Sequence, residues 1–117
     1  MKILILGAGQ VGSSVAATLA REDDDVTVVD TNDELLEKLQ DHYDIRTVNG
    51  HASHPDILAK AGAQDADLIL AVTNNDETNI IACQICHNLY NTPTKIARIR
   101  SNEYLSNPEI FNTKEST

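Results

Sequence analysis

The 117-residue chain has few aromatic and few basic residues. It contains one Phe, three Tyr and no Trp, and its 9 Lys and Arg are outnumbered by 18 Asp and Glu, which gives a net charge of −9. Proteins that bind nucleic acid present a basic face to the phosphates, and those that bind single strands also stack bases on aromatic rings. We therefore expect no nucleic-acid partner. The acidic charge equally disfavours adsorption to anionic lipid.

Long apolar runs are also missing. The first apolar run, Ile3–Leu6, is too short for the core of a signal peptide, and no run in the sequence approaches the length of a membrane span. Two cysteines without a secretory signal favour a reducing compartment. We expect a cytoplasmic protein with no direct membrane insertion, and the length suits one compact domain with its own hydrophobic core.

The two cysteines form a motif that needs an interpretation. Cys83, Cys86 and His87 have the C-x-x-C-H spacing of a covalent haem site. The motif falls within a predicted helix, no export signal precedes it and Met1 is the only methionine, so haem ligation is disfavoured. A thioredoxin-like pair would lie at a helix N-terminus, and a zinc site would need further ligands. We interpret both cysteines as small buried apolar residues and predict no metal site.

A glycine motif follows the first apolar run and begins a helical pattern. The run Gly7-Ala8-Gly9-Gln10-Val11-Gly12 has the G-x-G-x-x-G spacing of a dinucleotide-binding turn. Gly7 would permit the tight turn, Gly9 the close approach of a pyrophosphate, and Gly12 the close packing of helix on strand. The free N–H groups at the start of the helix would then bind phosphate oxygens.

A second apolar run, Val26–Val29, ends at the carboxylate of Asp30. Its distance from the glycines is near the spacing of about 20 residues at which an acid binds ribose hydroxyls. A carboxylate here would repel a 2′-phosphate, which favours NAD, NADH or a plain adenine nucleotide over NADP. Strand, glycine turn, helix, strand and acid together predict the first βαβ unit of a dinucleotide-binding fold.

Apolar runs and helical patterns continue to alternate along the chain. Three more apolar runs predict strands, at Ile45–Val48, Leu68–Val72 and Lys95–Arg100. The patterns between them predict helices at residues 31–42, 56–61 and 77–89, and a last helical turn from residue 101. Strands that alternate with helices are typical of parallel sheets with right-handed crossovers. We predict an α/β, Rossmann-like, doubly wound three-layer fold with strand order 3-2-1-4-5.

Local signals indicate where these helices begin and which faces they bury. Thr31 and Glu34 have the spacing of a capping box for the second helix. Pro55 suits the first position of the third helix, and Gly62 would supply the left-handed turn that ends it. The last long helix is predicted to turn four apolar residues inward: Ile80, Ile81, Ile85 and Leu89.

Ligands bind such sheets at the carboxyl ends of the strands, near the switch between strands 1 and 4. Four loops lie there by prediction, Gly7–Gly12, Asp30–Asn32, Gly50–Ser53 and Thr73–Asp76. The last two loops also suit ordinary turn and helix-cap chemistry. Arg98 and Arg100 would project together from the end of the last strand, either toward nucleotide phosphates or an interface, or into solvent as an edge-strand pair. The candidate binding residues are Gly7, Ala8, Gly9, Gln10, Val11, Gly12, Asp30, Thr31, Asn32, Gly50, His51, Ala52, Thr73, Asn74, Asn75, Arg98 and Arg100.

In combination, these motifs resemble the RCK (or KTN) nucleotide-binding domain of regulatory proteins from Trk-type potassium uptake systems. The resemblance covers about Met1–Tyr104. It is carried by the glycine run with its preceding strand and by four further stretches, Val28–Asp30, Asn49–Ser53, Ala71–Asn79 and Ile96–Arg100. It implies a cytosolic regulator without catalytic turnover, which binds NAD, NADH or adenine nucleotides such as ATP and ADP. It also implies a homo-oligomer, at least a dimer, on a membrane potassium transporter subunit at the inner face of the cell membrane.

The resemblance also implies roles for individual loops. Phosphate contacts would come from Gly7–Gly12, ribose contacts from Asp30, and adenine-side contacts from the regions Gly50–Ala52 and Thr73–Asn75. Arg98 and Arg100 would meet phosphates or a neighbouring subunit. Members of the family continue through a sixth strand and a further lobe, so we expect a truncated product or a fragment. Residues 1–106 would form the nucleotide-binding domain, and the polar residues 107–117 a flexible tail.

Two other functions are compatible with the same motifs. The chain could be the cofactor-binding fragment of an NAD-dependent oxidoreductase or epimerase, which predicts a catalytic Tyr-x-x-x-Lys or His beyond the cofactor loops. Tyr90 is followed by Thr94 rather than Lys, so we assign no catalytic residue. The chain could also be a dimerisation module with a vestigial glycine loop.

Overall fold

The computed structural model describes residues 1–110. Five strands and five α-helices follow one another in this order: β1 (Lys2–Leu6), α1 (Gln10–Arg21), β2 (Asp25–Asp30), α2 (Asp33–His42), β3 (Arg46–Asn49), α3 (Pro55–Lys60), β4 (Leu68–Ala71), α4 (Asp76–Tyr90), β5 (Thr94–Ala97) and α5 (Asn102–Leu105). Short 3₁₀ turns occupy Ala63–Asp65 and Pro108–Ile110. The strands form one parallel sheet in the order β3-β2-β1-β4-β5. The predicted fold class and strand order are confirmed.

The central strand β1 separates two hydrophobic cores, one on each face of the sheet. Leu4 and Leu6 pack toward helices α3 and α4, whereas Ile3 and Ile5 pack toward α1 and α2. These four side chains are at most 3% exposed. Because both faces are covered, the strand reads as an uninterrupted apolar run rather than an alternating one. The result is the three-layer arrangement that places the carboxyl ends of all five strands along one edge.

Helix α2 begins at Asp33, two residues after the start of the predicted range, and its cap lies one residue later than predicted. Its cap is Asn32, whose side chain accepts the N–H groups of Glu34 at 3.0 Å and Leu35 at 3.2 Å. Thr31 therefore does not form the predicted capping box with Glu34. The reason is that the Asp30 carboxylate accepts the N–H of Asn32 at 2.8 Å, so the chain is still turning at Thr31.

Helix α4 buries a different face from the predicted one. Its buried residues are Asn79, Ala82 and Cys86, whereas Ile81 is 48% and Leu89 is 59% exposed. The prediction that these two apolar residues face inward is wrong, and Ile80 and Ile85 are only half-buried. Small residues on the buried face allow the helix to lie close to the sheet, and hydrogen bonds of Asn79 hold that face toward it.

Strand β5 ends at Ala97, three residues before the predicted end at Arg100. The Arg98 N–H still bonds to the Ala71 carbonyl at 2.9 Å, but the N–H of Arg100 bonds instead to the Asp76 carboxylate at 3.0 Å. The prediction that Arg98 and Arg100 belong to one strand is therefore wrong, although both side chains line the same cavity. Other element bounds differ from prediction by a residue or so, and Gly62 has the expected left-handed conformation, with φ +88°.

Within residues 1–110, no helix has both the length and the apolar character needed to cross a bilayer. The flexible tail predicted for 107–117 stays a prediction. Its first part includes the 3₁₀ turn at Pro108–Ile110, and residues 111–117 lie outside the described residues.

Candidate functional site

A cavity of about 700 Å³ opens at the carboxyl edge of the sheet. The loop after every strand contributes to its wall, from the glycine turn after β1 to the arginines after β5. Cavities that bind small molecules and cofactors measure about 300–1,000 Å³ and lie at this edge in open α/β sheets. The fold therefore places this cavity where such sheets bind ligands.

Most of the predicted binding residues line this cavity. All of them do so except Ala8 and Gly12, two buried residues of the glycine turn itself. Four further residues line the cavity without having been predicted: Val29, Leu35, Val72 and Thr78. Val29 and Val72 directly precede the predicted loops and could have been included on that ground. Leu35 and Thr78 lie one turn into their helices, where the sequence pattern does not show which side chains reach the strand ends.

The glycines of the first turn are required for different reasons. Gly7 has φ +110°, and a Cβ on Gly12 would lie 1.9 Å from the Gly7 carbonyl oxygen, so the backbone itself requires both glycines. Gly9 has φ −71°, and among residues 1–110, its chain neighbours aside, no atom lies within 4 Å of a Cβ built on it. The folded chain therefore does not need a glycine at position 9. The open space above Gly9 is the cavity.

The N-terminus of α1 faces the cavity without a protein cap. Within the described structure no side chain caps α1 at Gly9, and its first turn contains no acid. The other two long helices, α2 and α4, have Asn32 and Asn75 as caps and two acids each in the first turn. The N–H groups of a first turn have no partner within the helix, and the helix dipole adds positive potential. This end of α1 is therefore suited to an external anion.

Asp30 is fixed beside that helix end by two backbone hydrogen bonds. One carboxylate oxygen accepts the Ala8 N–H at 2.7 Å, and the other accepts the Asn32 N–H at 2.8 Å. A carboxylate can accept about four hydrogen bonds. Each oxygen of the half-buried Asp30 can therefore accept one more, from a hydroxyl in the cavity.

A buried amide connects the two loops on the other side of the cavity. The side chain of Asn79 is fully buried, and its oxygen accepts the N–H of Thr73 at 3.0 Å and the Thr73 hydroxyl at 2.7 Å. Its nitrogen donates to the carbonyls of Thr73 at 3.2 Å and Arg98 at 2.9 Å. All four hydrogen-bonding positions of the amide are used. Sequence reasoning did not single out Asn79 because an Asn within a helix carries no local signal of such a role.

Arg98 is bound mainly to the protein's own backbone. Its Nη2 atom donates to the carbonyl oxygens of Val72 and Thr73, at 2.8 Å each. Its Nε is buried and has no hydrogen-bond partner among the described residues. The cation thus lies in the cavity wall close to the end of β4. A ligand bound there could accept a hydrogen bond from the buried Nε of Arg98. Arg100 lines the cavity as an exposed side chain.

Asp76, the first residue of α4, fixes the segment after β5. Its two oxygens accept the N–H groups of Arg100 at 3.0 Å and Ser101 at 2.7 Å. These hydrogen bonds, from Arg100 first and Ser101 second, lower the pKa of the Asp76 carboxyl below its usual value. Asp76 belongs to one of the predicted loops but does not line the cavity.

The histidine in the third loop has an aromatic neighbour. His51 lines the cavity, and its ring lies 5.0 Å from the ring of His54, centroid to centroid, at an angle of 45°. Gly50 beside it is tightly packed, because a Cβ there would lie 2.5 Å from the side chain of Ile57.

The two cysteines lie away from the cavity, on the side of α4 that packs against the sheet. Cys86 is buried, Cys83 is half-buried and both are free thiols. Burial raises the pKa of Cys83 to about 12 and that of Cys86 to about 11. The structure therefore supports their interpretation as apolar core residues. Among residues 1–110, no group of three or more His, Cys, Asp or Glu side chains could hold a metal ion.

Three solved structures share the fold at 22–23% sequence identity. The TrkA-N domain of the inner membrane protein ybaL from Escherichia coli has a TM-score of 0.77, over 90% of this chain and 77% of that one. The C-terminal domain of Shewanella denitrificans Kef in an AMP-bound form has a TM-score of 0.72, over 91% and 65%. The GsuK channel bound to NAD has a TM-score of 0.68, over 80% and 17%.

Two curated relatives are closer in sequence, and both are Trk system potassium uptake proteins TrkA. The Vibrio alginolyticus protein is 62% identical and the Halomonas elongata protein 56% identical, each over 95% of this chain. The chain spans 24% of the length of each. The TrkA-N domain description matches residues 3–113. This chain therefore belongs to the TrkA-N domain family.

Proposed function

We propose that this chain is the nucleotide-sensing module of a Trk-type potassium uptake system and that it binds NAD, NADH or an adenine nucleotide in the cavity. One observation carries the proposal. The uncapped N-terminus of α1 and the fixed carboxylate of Asp30 lie side by side in the same cavity wall. A dinucleotide supplies the matching groups, an anionic diphosphate and a ribose with free hydroxyls.

The residues in the wall suggest how the ligand lies. The phosphates would contact the N–H groups of Gly9, Gln10 and Val11, where the absence of a Cβ on Gly9 leaves room. The ribose hydroxyls would donate to Asp30. The adenine side would lie near Gly50–Ala52 and Thr73–Asn75, as the family resemblance implies.

The comparisons support this function. The two relatives are named potassium uptake proteins, and two of the structural neighbours are described with AMP and with NAD. Those neighbours share the fold at low sequence identity. The proposal that this chain binds a nucleotide is therefore argued from the residues of its own cavity. ATP and ADP remain part of the proposal beside NAD and NADH.

The proposed action is regulation rather than catalysis. Bound nucleotide would shift a homo-oligomer between two arrangements, by no more than its difference in affinity for them. The oligomer would act at the inner face of the cell membrane on a potassium transporter subunit, with residues 1–106 as the binding unit. Ile81 and Leu89 on α4 offer exposed apolar surface to another subunit.

Calorimetric titration with NADH, NADPH, ATP and ADP tests the binding function. We expect saturable binding of NADH or an adenine nucleotide, and weaker binding of NADPH. Loss of NADH absorbance on addition of small carbonyl substrates would instead support the oxidoreductase alternative. If all four ligands fail to bind, the proposal is wrong and a plain dimerisation module becomes the better explanation.

A further inference from the structure

The segment after β5 is held against the nucleotide cavity by hydrogen bonds to α4 and to the loop after β4. It contains Arg98 and Arg100, which line the cavity, and it continues directly into α5. Helix α5 has four residues, and in the described structure none of them is buried. A helix this short is marginal in water by itself. The stability of α5 therefore depends on its contacts with the rest of the fold.

Those contacts come from the first turn of α4. The Asp76 carboxylate accepts the N–H groups of Arg100 and Ser101, and Ser101 is the cap of α5. The first turn of α4 thus fixes the entry to α5, whose one half-buried side chain is that of Tyr104.

The buried amide of Asn79 joins the segment after β5 to the cavity wall. It donates to the Arg98 carbonyl and bonds three times to Thr73, which lines the cavity. Arg98 in turn donates to the Val72 and Thr73 carbonyls. The loop after β4 and the segment after β5 are therefore joined by two sets of hydrogen bonds, one through Asn79 and one through Arg98, and we expect them to open together.

From this connection we propose that Asp76 and Asn79 are positioning residues that couple nucleotide occupancy of the cavity to the stability of α5. A ligand that contacts Thr73–Asn75 or the arginines opposes opening of the cross-linked loops. Because Asp76 binds Ser101, the cap of α5, to the first turn of α4, the ligand then also opposes opening of α5. The inference rests on the proposed nucleotide function and goes beyond it by naming the segment that responds.

Hydrogen exchange with and without saturating ADP, and separately NADH, tests this coupling in the full chain. We expect the nucleotide to slow exchange in residues 9–13 and, by at least about fivefold, in residues 100–105. In Asp76→Ala, exchange at 9–13 should slow as before, whereas the effect at 100–105 should disappear. Asp76→Asn keeps one acceptor oxygen and should restore part of the effect. Asp56→Ala removes the same charge from the first turn of α3 and should behave as the wild type.

The four possible results separate the inference from the proposed function. If Asp76 has a merely structural role, its removal speeds exchange at 100–105 but leaves the effect of the nucleotide intact, and the coupling is refuted. Slowing at 9–13 with no change at 100–105 in the wild type also refutes the coupling, while nucleotide binding stands. If neither segment responds to either nucleotide, both the coupling and the binding function are wrong. Loss of the response at 100–105 in Asp76→Ala alone supports the coupling.

Discussion

The side chain of Asn79, in the first turns of α4, donates a 2.9 Å hydrogen bond to the carbonyl of Arg98, just beyond the end of β5. The same amide also makes three bonds to Thr73. Two loops that line the cavity are thus joined through one buried polar group. Buried amides of this kind contribute to stability only when all their positions are satisfied, as they are here.

Replacement of this amide should therefore be costly. We expect Asn79→Ala to lower the free energy of unfolding by about 2–4 kcal/mol, because the Thr73 N–H and the Arg98 carbonyl lose buried partners. Urea denaturation measures the change. The control is Asn88→Ala, at an exposed position of the same helix, for which the change should stay within about 0.5 kcal/mol. Equal effects of the two substitutions would show that the network does not stabilise the fold.

The glycine turn allows ligand binding and folding to be separated. Gly9→Ala fits the backbone and meets no protein atom among residues 1–110, so stability should be unchanged or slightly higher. The added methyl group enters the space proposed for the diphosphate, and nucleotide affinity should fall by about tenfold or more. Gly12→Ala is the converse control, because its Cβ would clash with the Gly7 carbonyl and should destabilise the protein. Calorimetry and urea denaturation measure the two effects. Unchanged nucleotide affinity in Gly9→Ala would contradict the proposed phosphate position.

Asp30 should determine the preference for a free ribose. In the wild type we expect NADH to bind at least about tenfold more tightly than NADPH, because the carboxylate repels the 2′-phosphate. Asp30→Asn should weaken NADH binding and narrow that ratio. Asp25→Asn removes the same charge from the opposite end of β2 and should leave the ratio unchanged. A ratio that is equal in all three proteins would exclude contact between Asp30 and the ribose.

Local sequence patterns predicted the first βαβ unit well because its determinants are local. The close approach at Gly12 is to the Gly7 carbonyl within the same motif, and the order of the five strands is the one typical of the doubly wound fold that the motif begins. The loops of the cavity followed from the rule that ligands lie at the carboxyl ends of parallel strands, which needs the strand order but no side-chain detail.

Two of the wrong predictions, the buried face of α4 and the end of β5, have a different cause from the local hydrogen bond that moves the cap of α2. The buried face of α4 and the end of β5 are both set by hydrogen bonds between residues far apart in sequence. Asn79 reaches Arg98, and Asp76 reaches Arg100 and Ser101. Helical periodicity predicted Ile81 to face inward because Ile81 is apolar. In the structure, the small side chains of α4 and the fully hydrogen-bonded amide of Asn79 pack against the sheet instead. Such tertiary hydrogen bonds override local periodicity. They cannot be predicted from the residue pattern of a single stretch of sequence, because their two partners lie in different stretches.

The Asp76 hydrogen bonds predict part of the acid sensitivity of the fold. The folded-state pKa of Asp76 is depressed, so the carboxylate contributes stability that is fully present above its usual pKa of about 3.8 and is lost as the pH falls through the lower folded value. The side-chain amide in Asp76→Asn cannot take up a proton in this pH range, so the variant should lack this part of the decline. Urea denaturation at pH 7, 5 and 3 should show a steeper loss for the wild type than for the variant below pH 5. Parallel declines would mean that the two N–H groups do not favour the charged form.

Thiol reactivity tests the position of the cysteines. Burial raises the pKa of Cys83 to about 12 and of Cys86 to about 11, so neither forms an appreciable fraction of thiolate at pH 8, and the thiolate is the reactive form. We expect a disulfide reagent to react with the native protein at least about a hundredfold more slowly than with the urea-unfolded chain. The unfolded chain is the internal control, since both thiols are then exposed with ordinary pKa values. Fast labelling of both cysteines in the native state would mean that α4 does not pack as described. A disulfide formed readily between them would support the redox interpretation, which the position of the pair within a helix disfavours.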